Sequence, residues 1–89
     1  MDRFDEMHTF VRVVEAGGIS AAAERLGIAK SAVSRRLQEL ENRLDVQLLQ
    51  RTTRRMHLTE AGSEFYRSCL RILDEVDDAE QALQSGQQS

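Results

Sequence analysis

Between Ala21 and Leu37 the sequence reads Ala-Ala-Ala-Glu-Arg-Leu-Gly-Ile-Ala-Lys-Ser-Ala-Val-Ser-Arg-Arg-Leu, and this stretch constrains the fold more than any other. Gly27 stands between two helix-forming runs, where a tight exit turn needs a positive φ that glycine takes without steric cost. Two helices that cross steeply over a short turn bring their backbones close, so a small residue is needed at the contact. Ala23, four residues before Gly27, supplies it. Leu26, Ile28, Val33 and Leu37 then fill the wedge between the helices. The spacing small-x3-Gly-x5-apolar is that of a helix-turn-helix, although an alanine-rich helical pair can imitate it.

The rest of the chain is also helix-prone: it has no proline and few glycines, with Ala, Leu, Glu, Arg and Gln abundant. Phe4, Met7, Phe10, Val11 and Val14 fall at helical spacing, with Asp5 and Glu6 in the first turn, where the dipole favours acids. Gly17-Gly18 should end this first helix. Ser20 is the expected N-cap of a second helix over Ala21 to Leu26. A third helix is expected from Lys30 to Leu44, with Val33, Leu37, Leu40 and Leu44 as its apolar stripe. Val46 to Arg51 and Met56 to Leu58 read as two short strands around the polar turn Thr52-Thr53-Arg54-Arg55. Thr59 caps a fourth helix, expected to reach about Leu83 over roughly 37 Å, with Gln84 to Ser89 fraying. The one boundary divides residues 1–58 from residues 59–89.

The net charge of −3 is unevenly spread. Residues 30–57 carry seven cations (Lys30, Arg35, Arg36, Arg43, Arg51, Arg54 and Arg55) against three acids, whereas both flanks are acidic. A basic island of this kind is an electrostatic footprint for nucleic acid, or else a solvated charge run. The third helix favours the footprint. At about 100° per residue, Lys30, Ser31, Ser34, Arg35 and Gln38 span an arc of roughly 140°, some 120° from the apolar stripe. Arg and Lys can donate to guanine, Gln can pair bidentately with adenine, and Ser adapts to base or phosphate. Arg36 falls nearly opposite this face, and Arg43, four residues after Glu39, is expected in surface ion pairs.

Several further segments then line up with one family. Phe10-Val11-Arg12-Val13-Val14-Glu15-Ala16-Gly17 precedes the turn motif, and Ala32-Val33-Ser34-Arg35, Leu40-Glu41, Arg51-Thr52-Thr53-Arg54-Arg55 and Leu58-Thr59-Glu60-Ala61-Gly62 follow in order. In these the chain resembles the LysR-type transcriptional regulators over nearly its whole length. The resemblance implies a mainly α fold, a winged helix-turn-helix with a three-helix core and a two-stranded wing, followed by a long linker helix for dimerisation. It implies that Lys30, Ser31, Ser34 and Arg35 face DNA, and that Arg54 is the wing arginine placed for a minor groove. Arg51, Thr52, Thr53 and Ser20 are the candidates for phosphate contacts. The chain departs from the family's pattern at Ala29, where serine is usual, at Lys30-Ser31, which replace a common Gln-Pro, and at Asp45, where glycine usually ends the helix. Family members continue into a larger effector-binding domain, so effector response is expected only through a C-terminal domain that these residues do not include.

In the fourth helix Phe65, Cys69, Ile72, Val76, Ala79 and Leu83 are spaced 4, 3, 4, 3 and 4, a heptad-like seam. Beyond about Leu73 a small core cannot reach this seam, so a homodimer is expected, with two recognition helices on successive turns of an interrupted palindrome in double-stranded DNA. Two other readings fit the same residues: a winged-helix module whose basic face docks an acidic protein, and a purely structural helical dimer. Catalytic, metal-binding and cofactor roles find no support, since one cysteine and two histidines form no ligand or acid–base constellation. With Cys69 alone, no internal disulfide, no long apolar run and no signal-like start, the expected compartment is the cytoplasm of a bacterium.

Overall fold

The computed structural model describes residues 2–51 and 56–88, and the side chains of these except Arg51, Gln87 and Gln88. Its elements run α1 (Arg3–Ala16), α2 (Ile19–Leu26), α3 (Lys30–Leu44), β1 (Leu49–Arg51), β2 (Met56–Leu58) and α4 (Glu60–Gln88). The wing turn 52–55 lies outside the described residues.

α1 starts where Asp2 accepts the Asp5 N–H on its side chain at 3.0 Å, satisfying one of the first-turn donors. It ends at Gly17, with φ 84°, whose N–H donates to Val13 O at 3.0 Å. The buried face is Met7, Phe10, Val11 and Val13, whereas Phe4 is 46% exposed. Phe4 therefore corrects the expected stripe: it projects one turn beyond Met7, where the packed face ends.

α2 begins two residues earlier than expected. Gly18 takes the cap position in extended backbone, and Ser20 is an exposed residue of the first turn rather than the cap. Ile19, packed against the core, draws the helix start forward. Gly27, at φ 69°, closes α2, and Ile28 N–H donates back to Ala23 O at 3.1 Å. Ala22 and Ala23 are buried at the α2–α3 crossing, as the small-residue spacing requires.

α3 spans the expected residues. It buries Val33, Leu37 and Leu40, and Asp45 adopts the left-handed conformation at its end, with φ 55°. Leu44, expected in the apolar stripe, stays exposed at the helix's last turn. The first strand is shorter than expected, because residues 46–48 are held as a loop by side chains rather than by a ladder. Glu41 Oε2 accepts the N–H groups of Leu48 at 2.7 Å and Leu49 at 3.1 Å. β1 and β2 pair antiparallel, with Leu49 opposite Leu58, Gln50 opposite His57 and Arg51 opposite Met56.

Thr59 caps α4: its Oγ1 accepts Gly62 N–H at 2.9 Å and donates to Gln47 O at 2.6 Å. The same junction joins Thr59 N–H to Leu48 O at 3.0 Å. Phe65 lies 5.5 Å from Phe10 between ring centroids, and Tyr66 meets Phe10 edge-on at 6.4 Å. Cys69 is fully buried in the same cluster, and Leu73 is the last α4 residue packed on it. Beyond that point the helix continues to Gln88, past the expected end near Leu83. It gives the molecule its long dimension, 53 Å against 26 and 22 Å.

Candidate nucleic-acid interface

The candidate interface arises because α3 is amphipathic about one axis. Val33, Leu37 and Leu40 are completely or almost completely buried under α1 and α2. That anchoring turns Lys30, Ser31, Arg35 and Gln38 outward as exposed side chains, with Ser34 half-buried among them. The expected arc is thus present on one surface. Lys30 and Arg35 have no ion-pair partner among the described residues, so their charge is open to an anionic ligand. Ala29, extended at φ −69° and ψ 149°, starts the helix without a side-chain cap. Its carbonyl still accepts from Ala32 and Val33, at 3.0 and 3.2 Å.

Other cations of the basic island serve the fold. Arg36 Nη1 donates to Thr9 Oγ1 at 3.2 Å, tying α3 to α1 on the side away from the exposed arc. Arg43 Nε donates to the buried Glu6 at 3.1 Å, and Nη2 reaches the same oxygen. The expected surface pairing of Arg43 with Glu39 is therefore corrected. A carboxylate as buried as Glu6 requires a cation close by, and α1 brings it to Arg43. Two residues that sequence reasoning left out lie beside this face of α3 or at its end. Glu41 pins the chain entering β1, and Asn42 Oδ1 accepts Gln38 Nε2 at 3.1 Å. Glu41 lies in the Leu-Glu pair of the family-like segments, and only the fold reveals what its carboxylate holds.

Ser20 is exposed at the start of α2. Arg51 lies in β1, with its side chain outside the described set, and Thr52, Thr53 and Arg54 lie outside the described residues. Of the expected dimer seam, Phe65 and Cys69 turn into their own domain's core. Ile72, Val76, Ala79 and Leu83 are exposed, Ile72 and Val76 by more than a third and Leu83 by 72%. Burial pushes the Cys69 thiol up to about 11 from 9.0, so at neutral pH it is protonated and enclosed. Among the described residues no three His, Cys, Asp or Glu side chains gather as metal ligands, and no helix is long and apolar enough to cross a membrane.

Residues 4–63 match the family described as bacterial regulatory helix-turn-helix protein, lysR family. An HTH-type transcriptional regulator of Xanthomonas campestris pv. campestris is 55% identical over 80 residues, which is 86% of this chain and 23% of that protein. The DNA-binding domain of BenM, crystallised in a complex with catB site 1 DNA, is similar at TM-score 0.90 and 34% identity, covering 96% of this chain and 94% of that one. CrgA, a LysR-type transcriptional regulator from Neisseria meningitidis, is similar at TM-score 0.80 and 46% identity, covering 96% of this chain and 29% of that one. The chain spans about a quarter of the length of the curated relatives it matches, which are named as transcriptional regulators and not as enzymes. On the family match, the shared architecture and the outward face of α3, the chain belongs to the lysR family of bacterial regulatory helix-turn-helix proteins and carries its DNA-binding helix-turn-helix domain.

Proposed function

We propose that the chain binds double-stranded DNA sequence-specifically as a homodimer, with α3 in the major groove, the wing at the minor groove, and an interrupted palindrome as its site. The observation that carries this reading is the division of α3 into a buried face and an exposed face of Lys30, Ser31, Arg35 and Gln38. The complex of the BenM domain with DNA supports it by likeness of fold. In this reading residues 1–58 recognise DNA and residues 59–89 pair two copies, with the first turns of α4 also completing the core. Ser20 and Arg51 to Thr53 contact phosphates, and Arg54 enters the minor groove. The site of action is the cytoplasm, where bacterial DNA lies. Effector response belongs to the part of the relatives that the match does not reach.

Pairing follows from the energetics of α4. Leu73 is its last residue packed on the core and residues 74–86 are exposed, and an isolated helix of this length is marginal in water. Ile72, Val76, Ala79 and Leu83 would leave an apolar stripe in solvent unless a second copy covers it.

Replacing Arg35 with Ala tests the recognition face. A bidentate arginine–base contact discriminates by ~1–3 kcal/mol, so the variant should bind its selected duplex about 5- to 150-fold more weakly and lose preference at one base pair. Equal weakening on every duplex would instead make Arg35 a phosphate contact. Unchanged binding would remove α3 from the interface.

A further inference from the structure

We infer that Asn42 is a positioning residue for base reading: it holds the Gln38 carboxamide in the orientation that recognises adenine. The inference rests on α3 being the recognition helix. Gln38 Nε2 donates to Asn42 Oδ1 at 3.1 Å, and both side chains are exposed. Lys30, Ser34, Gln38 and Asn42 follow one another at intervals of four residues, so Asn42 extends the outward row by one turn.

The chemistry of adenine makes this contact consequential. Adenine offers an N7 acceptor and an N6 amino donor in the major groove, so a glutamine reads it with one N–H and its carbonyl oxygen. Nε2 carries two hydrogens. Donation to Asn42 through the hydrogen anti to Oε1 leaves the syn hydrogen and Oε1 together for the base. An unrestrained exposed glutamine would sample many rotamers and both faces of its amide. With Asn42 Oδ1 opposite Nε2, the swapped orientation of Gln38 would require the Asn42 amide to turn as well. Ordering a rotamer-rich side chain before binding removes a cost equivalent to about 2- to 12-fold in affinity. The same bond as a helix-surface contact adds little to stability, so a purely structural role would leave base preference untouched.

The test begins by selecting duplexes from a random library with the wild-type 89-residue chain. Relative affinities for all four bases at each position are then measured for wild type, Gln38→Ala, Asn42→Leu and Asn42→Asp. Gln38→Ala should remove an adenine preference at one position. Asn42→Leu should lower that same preference about 2- to 12-fold and leave other positions unchanged. Asn42→Asp keeps the acceptor, so it should retain the preference while its added charge weakens binding to every duplex. If Asn42→Leu preserves a preference that Gln38→Ala removes, the positioning role is overturned and the base reading by Gln38 stands. If Gln38→Ala changes no preference, the base reading fails and takes the positioning role with it.

Discussion

Removing residues 74–89 should lower affinity for a two-half-site duplex by about 10²- to 10⁴-fold while leaving the fold of residues 2–73 in place. The size of the loss comes from bivalency. Two linked recognition helices make the second contact intramolecular, and unlinking them forfeits that effective concentration without removing a single DNA-contacting residue. The fold survives because Leu73 is the last α4 residue packed on the core, with Phe65, Tyr66 and Cys69 retained ahead of it. Mass in solution should fall from two copies to one, and affinity for a single half-site should stay near the intact chain's. A truncated chain that still dimerises, or that binds the full site unchanged, would show that Val76, Ala79 and Leu83 do not pair the copies.

Gly62→Ala should cost at least about 2 kcal/mol of stability, even though alanine is the better helix former by ~1 kcal/mol. A Cβ at Gly62 would stand 2.0 Å from the Leu48 carbonyl oxygen, 2.9 Å from its carbon and 3.2 Å from Leu58 Cδ2. The nearest of these is backbone and cannot rotate away. The first turn of α4 would have to retreat, stretching the Thr59 N–H bond to Leu48 O and the Thr59 hydroxyl bond to Gln47 O. Each such bond contributes ~1 kcal/mol, in addition to the ~1–3 kcal/mol of overpacking. Thermal unfolding should show Tm lower by about 10–20 °C for a domain of this size. An unchanged or raised Tm would mean that the junction between α4 and the loop before the wing is loose.

What the sequence made legible is what depends on local pattern. The α3 boundaries, the Gly17 and Gly27 exits, the Thr59 cap and the inward stripe of Val33, Leu37 and Leu40 follow from spacing and from residues with one conformational use. The outward arc of α3 follows by subtraction, since a helix with one buried stripe must expose the other side. What stayed hidden depends on contacts across elements. Glu6 and Arg43 are 37 residues apart and nothing local couples them. The bonds from Glu41 that turn residues 46–48 into a loop have no periodic signature, so β1 read as too long. Phe65 and Cys69 fit a heptad as well as a core face, and only the position of Phe10 assigns them to the core. The Gln38–Asn42 bond lies at ordinary helical spacing, but sequence gives no reason to prefer it to two solvated amides.

The role on DNA proposed for Lys30 and Arg35 rests on the exposed face of α3, and one competition experiment addresses it directly. Binding of the intact chain to its selected duplex is measured against random duplex across a range of salt concentrations. Sequence-specific recognition predicts that the selected site is preferred by about 10³-fold or more, with affinity falling linearly in log–log form by about 0.9 per phosphate neutralised. Equal affinity for selected and random duplex would contradict it, leaving the basic face as a surface for an acidic protein.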